Sequence, residues 1–333
     1  MRLLNTKNAE LQFFSSPEDV PTGYAILSHR WDASDKGIEF NTLYNHTEEN
    51  APWGYIPEKI RRFCILAGSL GFEWGWVDSC CINKQDTFEL SEAINSMFLW
   101  YSRAEVCFVY LADVPGGCDP WDQNSPFRTS AWYTRGWTLQ ELIAPYNVLF
   151  VCQDWEVIGG KQELSPILEK ITGIPLRVLR GEMHFTSISV ADRMSWASDR
   201  VTERIEDQAY CLMGLFDVNM STIYGEGHRA FQRLQQEIMK QTCDPSLFAW
   251  GARVCCHESR VTPLSANEDD KTFTNWTKDP VYLLARSPRD FKSSNSTRVI
   301  WEANTGSPLE TVLEWHRKDS SEVRDPSYNV SQH

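Results

Sequence analysis

Two short apolar runs of the chain are each followed by polar side chains that could bind a ligand. His29, Arg30 and Asp32 follow the first run, at residues 24–28. Such groups at the end of a buried strand could hold a phosphate or a ribose, and a histidine can act as a general base. The alternative is a polar cluster whose hydrogen bonds hold the loop of Trp31. Both interpretations stay open at the level of the sequence.

The second run, at residues 74–77, ends in Asp78, Ser79 and Cys80, which complete the candidate ligand-binding set. Asp78 could orient a ligand, although an aspartate here more often accepts backbone N–H bonds of the following turn. Cys80 could act as a nucleophile only beside a base. A buried structural thiol is therefore the favoured interpretation of Cys80.

Strands and helices alternate over the first part of the chain. The predicted order is strand 24–28, helix from Pro57, strand 74–78, helix 89–103, strand 106–111, helix 135–142 and strand 147–151. This alternation predicts right-handed crossovers and a parallel sheet flanked by helices, which is an α/β fold. Ligands of such sheets bind at the carboxyl ends of the strands, where both polar groups would lie.

The pattern becomes mainly helical after residue 155. Helices are predicted at 167–171, 189–197, 206–216 and 229–241, and possible strands at 247–250 and 281–285. The predicted regions are an α/β domain at 1–155, a helical extension at 156–250, a possible small strand-containing region at 251–303 and a flexible polar tail at 304–333.

Composition narrows the possible partners and compartment. The net charge of −13 and the pI near 5.1 disfavour nucleic-acid binding, because an acidic surface repels phosphates. No apolar run reaches the roughly 18 residues of a membrane helix, and no signal peptide is recognisable. We therefore expect a soluble, cytoplasmic protein.

The ten cysteines lack C-x-x-C spacing, which favours buried thiols over a metal site, and no bound cofactor is expected.

A glycine-rich turn precedes the last predicted helix. Gly225 and Gly227 flank Glu226 there, and their backbone N–H groups could hold an anion. The turn lacks the full G-x-G-x-x-G pattern and a suitable preceding strand, so this is a weak signal.

Three blocks of sequence resemble the fungal HET (heterokaryon incompatibility) domain, in order and with similar spacing. They are Tyr-Ala-Ile-Leu-Ser-His-Arg-Trp at 24–31, Trp-Val-Asp-Ser-Cys-Cys-Ile-Asn at 76–83 and Arg-Gly-Trp-Thr-Leu-Gln-Glu-Leu-Ile-Ala-Pro at 135–145. Stretches at 196–218 and 224–235 resemble the segment that follows many HET domains. The resemblance implies an intracellular trigger of programmed cell death in fungal innate immunity. It also implies partners that are further copies of the chain or other HET or NLR-type proteins.

HET domains are regarded as distant relatives of Toll/interleukin receptor (TIR) domains, which implies a flavodoxin-like sheet. Some TIR domains cleave NAD with a glutamate in a Trp-Cys-x-x-Glu-Leu motif, and Trp137-Thr-Leu-Gln-Glu141-Leu is similar, with Thr138 at the Cys position. The resemblance makes Glu141 the candidate catalytic carboxylate and NAD a substrate. A carboxylate can stabilise the oxocarbenium-like state of N-glycosidic cleavage. The alternative is an acidic residue that the helix dipole favours near a helix N-terminus.

Two hypotheses of function follow from the resemblance. The first is a signalling module that triggers death through TIR-like self-association. The second is an NAD glycohydrolase that uses Glu141, and a HET-domain protein with another role is a third possibility. An enzyme needs a pocket that joins Glu141 to the two strand ends, whereas a scaffold needs an exposed complementary patch.

Overall fold

A seven-stranded mixed sheet forms the centre of the computed structural model, which describes residues 1–31, 56–250 and 284–292. The strands are β1 (Arg2–Asn5), β2 (Leu11–Phe13), β3 (Ala25–His29), β4 (Trp74–Trp76), β5 (Val106–Tyr110), β6 (Val148–Val151) and β7 (Val157–Gly160). Asp32, most of the predicted region at 251–303 and the predicted tail at 304–333 lie outside the described residues.

The strand order is β2-β1-β4-β3-β5-β6-β7. The four inner strands β4, β3, β5 and β6 are parallel, while β1 and β2 at one edge and β7 at the other are antiparallel. The α/β class is thus confirmed, but the prediction of a parallel sheet is wrong at both edges. These edge strands have only three or four residues each, too few to show a two-residue periodicity in the sequence.

Ten α-helices accompany the sheet in the described ranges. They are α1 (Glu58–Ser69), α2 (Asp78–Cys81), α3 (Thr87–Arg103), α4 (Pro126–Thr129), α5 (Thr138–Ile143), α6 (Lys161–Thr172), α7 (Leu176–Leu179), α8 (Val190–Ser195), α9 (Asp207–Tyr210) and α10 (Arg229–Gln241). Short 3-10 helices lie at Pro17–Asp19, Ala131–Thr134, Phe185–Ser187, Met213–Phe216, Pro245–Phe248 and Pro288–Phe291.

The long helices form where the sequence supplies an apolar face and a start signal. Asp86 caps α3 by accepting hydrogen bonds from the backbone N–H groups of Phe88 and Glu89. The buried residues of this helix are Ala93, Ile94, Met97, Trp100 and Tyr101. The predicted helix at 229–241 is confirmed as α10, whose Phe231, Leu234 and Ile238 face the interior. The predicted strand at 247–250 is wrong, because Pro245, preceded by the capping Asp244, begins a 3-10 helix instead.

The sheet has a topological switch point at β3. The chain leaves β3 for its neighbour β4 on one side and then crosses to β5 on the other side. The carboxyl ends of β3 and β5 therefore lie at the switch point of the sheet, the position at which parallel α/β sheets bind ligands. In the described ranges, no helix is long and apolar enough to cross a membrane.

Candidate functional site

At the carboxyl end of β3, the three sequence blocks that resemble the HET domain come into contact. Ser28 and His29 are the last two residues of β3, so their side chains point to opposite faces of the sheet. Ser28 contacts Glu141 of the third block, and His29 contacts Asp78 of the second. Two polar clusters thus flank the end of one strand.

Glu141 is the centre of the first cluster. Its carboxylate accepts a hydrogen bond from the Ser28 hydroxyl, which in turn accepts one from Trp132 Nε1 at 2.8 Å. The carboxyl group is buried, with 5% of the residue exposed. Burial raises the pKa of Glu141 to about 7, and the charge of Asp78 adds to this, although the Ser28 bond and two arginines oppose it. Glu141 is therefore poised between its neutral and ionised forms near neutral pH.

Asp78 is the centre of the second cluster. One carboxylate oxygen lies 3.0 Å from His29 Nε2, and the other accepts a hydrogen bond from Trp31 Nε1 at 2.8 Å. Burial alone would raise the pKa of Asp78, but the His29 hydrogen bond and the charges of Lys84 and Arg135 outweigh it and hold that pKa well below its usual range. Asp78 is ionised, so His29 Nε2 is the donor of their hydrogen bond.

The other predicted residues of the second block lie close by. The Ser79 hydroxyl is buried and has no hydrogen-bond partner in the part of the chain that the structure describes. The Cys80 thiol is buried 3.9 Å from the sulfur of Cys81. This contact and burial raise the pKa of the Cys80 thiol well above its ordinary value. Such a thiol stays protonated, which is unfavourable for a nucleophile.

Arg135 is a site residue that the sequence analysis did not single out. Its guanidinium carbon lies 5.7 Å from the centre of the Trp31 ring, and Lys84 Nζ lies 3.4 Å from the same centre. The charge of Arg135 lowers the pKa of both Asp78 and Glu141, so it acts on both clusters. The sequence offered one indication of this role, because Arg135 lies in the same block as Glu141. Arg30, which was predicted, is exposed after the end of β3.

The segment after the sheet holds the third block in place. Arg200 Nη1 donates hydrogen bonds of 2.9 Å to the Arg135 carbonyl and to Thr138 Oγ1. The Gly136 N–H donates to the Val201 carbonyl at 2.9 Å. Burial lowers the pKa of Arg200 to about 10, so it stays charged at neutral pH. Ser28, Trp132 and Arg200 were not predicted, because no local pattern indicates such contacts.

The glycine-rich turn before α10 does hold an anion, but it is one of the protein's own carboxylates. Glu206 Oε1 accepts hydrogen bonds from the N–H groups of Gly225, at 2.8 Å, and Gly227, at 3.0 Å. These bonds lower the pKa of Glu206. The N–H groups of this turn therefore have a structural role, because they bind the Glu206 side chain.

Comparison with known proteins shows to which family part of the chain belongs. Residues 24–117, which include the first two blocks, match the heterokaryon incompatibility protein (HET) family. The chain is a HET-domain protein. Residues 229–317 match a domain of unknown function (DUF8212). The chain is 42% identical over 252 residues to vegetative incompatibility protein HET-E-1 of Podospora anserina. That alignment covers 72% of this chain and 18% of HET-E-1. No solved structure gave a significant match.

Proposed function

We propose that this HET-domain protein triggers programmed cell death in the fungal cytoplasm during heterokaryon incompatibility, and that the site at the end of β3 carries this activity. One observation carries the proposal: the Ser28 hydroxyl bonds the Glu141 carboxylate across 113 residues of sequence. Polar groups from three separate segments meet in this way at the switch point of the sheet, where α/β proteins bind ligands.

The chemistry that these groups fit best is hydrolysis of the nicotinamide–ribose bond of NAD. Nicotinamide would leave with the electron pair of that bond, water would add its oxygen to the ribose carbon, and a proton would be released. The ionised form of Glu141 would stabilise the positive charge that develops on the ribose. Arg135 would bind an anionic phosphate group of the same substrate.

Two features support an enzyme-like site. Asp78 and Glu141 have pKa values pushed in opposite directions, a feature that often marks catalytic carboxylates. The four parallel strands follow the order second, first, third, fourth, as in flavodoxin-like sheets, which agrees with the proposed TIR-like fold.

The second candidate is death signalling by TIR-like self-association without catalysis. Phe13 and Phe88 are 65% and 79% exposed and line one cleft of about 180 Å³. Phe13 belongs to β2, one of the two edge strands of the described sheet. Exposed aromatic side chains on an edge strand favour contact with another protein or another copy of the chain.

Expression of the full chain in fungal cells separates the two candidates. Under the enzymatic proposal, Glu141→Gln abolishes killing, whereas Phe88→Asp retains it. Under self-association, Glu141→Gln retains killing and Phe88→Asp abolishes it. Glu163→Gln is the matched control, because Glu163 also lies in the first turn of a helix but is exposed. Killing by a folded Glu141→Gln variant at the wild-type level would refute the enzymatic proposal.

A further inference from the structure

A buried lysine at the beginning of α6 is separate from the hydrogen-bonded clusters of the β3 site, because its described bonds go to the backbone. Lys161 is only 5% exposed, and its Nζ donates hydrogen bonds to the carbonyls of Leu142, at 3.1 Å, and Pro145. An ammonium group has three N–H donors, and the described residues accept hydrogen bonds from two of them. No carboxylate forms an ion pair with Lys161 among the described residues.

Burial of an uncompensated charge is costly. The desolvation lowers the pKa of Lys161 to about 8. A Cys107 thiolate would oppose this shift, but burial raises the pKa of the Cys107 thiol well above its ordinary value and keeps that thiol neutral. The ammonium form still predominates at neutral pH. A buried cation that forms no ion pair with the described carboxylates is suited to bind an anion from solution.

Lys161 lines a cleft of about 260 Å³ that gives such an anion access. The cleft is bordered by Ile143, Tyr146, Val178, Leu179, His184 and Phe185. Tyr146 is 67% exposed, whereas Leu179 is buried. The lining is thus mostly apolar, includes no carboxylate in the described residues, and has one buried cation.

We propose that this cleft binds a small organic carboxylate, with its anionic end on Lys161 and its apolar body against Ile143, Val178 and Phe185. A single ammonium matches a singly charged carboxylate better than a phosphate ester, which generally requires several donors. The apolar walls exclude a fully hydrated inorganic anion. Since Lys161 binds the carbonyls of Leu142 and Pro145, the ligand would lie at the end of α5, the helix that carries Glu141.

Calorimetric titration of the full chain with sodium octanoate tests the proposal, and 1-octanol is the uncharged probe of equal chain length. We expect saturable one-to-one binding of octanoate with a Kd of about 1 mM or lower, and about tenfold weaker binding of octanol. A matched pair at the half-buried Val178 isolates the charge. Val178→Glu places a carboxylate in the cleft that Lys161 lines and should weaken octanoate binding at least about tenfold, whereas Val178→Gln should change it only about threefold or less.

A third variant removes the cation itself. Lys161→Met keeps the length of the side chain and should lose octanoate binding to the same extent as Val178→Glu. Equal binding of octanoate and octanol, equal binding by Val178→Glu and Val178→Gln, or no saturation up to about 10 mM octanoate would each overturn the proposal.

Discussion

At the residue scale, the site consists of two carboxylates in contrasting surroundings. Asp78 has hydrogen bonds from His29 and Trp31, while Glu141 has one from Ser28 within an apolar interior. The proximity of Asp78 and His29 was predictable from the sequence alone, because the carboxyl ends of parallel strands lie at the same edge of a sheet. It could not predict the Ser28–Glu141 bond, which depends on how α5 lies against β3. Nor could it predict that the charge of Arg135 acts on both carboxylates, since that depends on where the Arg135 side chain lies in the folded protein.

Ser28→Ala tests the hydrogen-bond network at Glu141. The substitution leaves the buried Trp132 N–H and the Glu141 carboxyl group without their shared partner. We expect a loss of about 1–3 kcal/mol in the free energy of unfolding, measured by urea denaturation. Ser69→Ala is the control, because Ser69 donates to the Leu66 carbonyl at an exposed position. Its effect should stay within about 0.5 kcal/mol, and an equal effect of both substitutions would contradict the network.

The raised pKa of Glu141 predicts a pH-dependent difference between the wild type and Glu141→Gln. Between its unfolded value of 4.5 and its folded value of about 7, the folded protein holds a proton that the unfolded chain has released. Wild-type stability must therefore fall relative to the variant as pH rises through this window, by about 1–3 kcal/mol. Urea unfolding at several pH values measures this difference. A difference that stays constant across the window would show that burial does not raise this pKa.

At the element scale, long amphipathic segments could be predicted and short ones could not. The helix over 229–241 was predictable because its apolar residues recur at helical spacing over three turns and Asp244-Pro245 follows its end. β1, β2 and β7 were missed because their pairing partners, rather than their own sequences, make them strands. The same holds for the contact of Arg135 with Val201, which joins two irregular segments.

Gly136→Ala tests that contact between segments. A Cβ atom at Gly136 would lie 2.5 Å from Thr202 Cγ2 and 3.2 Å from the Cys211 sulfur. We expect a loss of about 1–3 kcal/mol in the free energy of unfolding, because the neighbours must move. Gly68→Ala in α1 is the opposite case, since its Cβ would meet Thr6 no closer than 3.6 Å. That change should stabilise the protein by up to about 1 kcal/mol. If both substitutions had the same sign, the packing at Gly136 would be looser than described.

At the scale of the whole molecule, the described segments after β7 pack on the sheet region rather than apart from it. The Met220 N–H donates to Asn95 Oδ1 of α3 at 3.1 Å, and the rings of Phe98 and Phe185 lie 5.5 Å apart. Arg200 reaches the third block from the same segment. The geometry of the β3 site therefore depends on residues well beyond the range that matches the HET family.

Native-state hydrogen exchange tests whether these parts unfold together. The Met220 amide can exchange only when its bond to Asn95 opens. We expect its free energy of opening to equal that of the buried amides of α3, such as Ile94, within about 1 kcal/mol. A Met220 amide that exchanges through a much smaller opening, while α3 stays protected, would mean that the later segment detaches on its own.

Nicotinamide release from NAD by the purified full chain tests directly whether the site at the end of β3 is catalytic. We expect the wild type to release nicotinamide and ADP-ribose in equal amounts. Glu141→Gln should lower the rate by about 100-fold or more, because it removes the charge that stabilises the transition state. Glu163→Gln should match the wild type. Intact NAD after incubation with wild-type protein that kills cells, or release by folded Glu141→Gln at the wild-type rate, would show that the site at the end of β3 does not kill by Glu141-dependent cleavage of NAD.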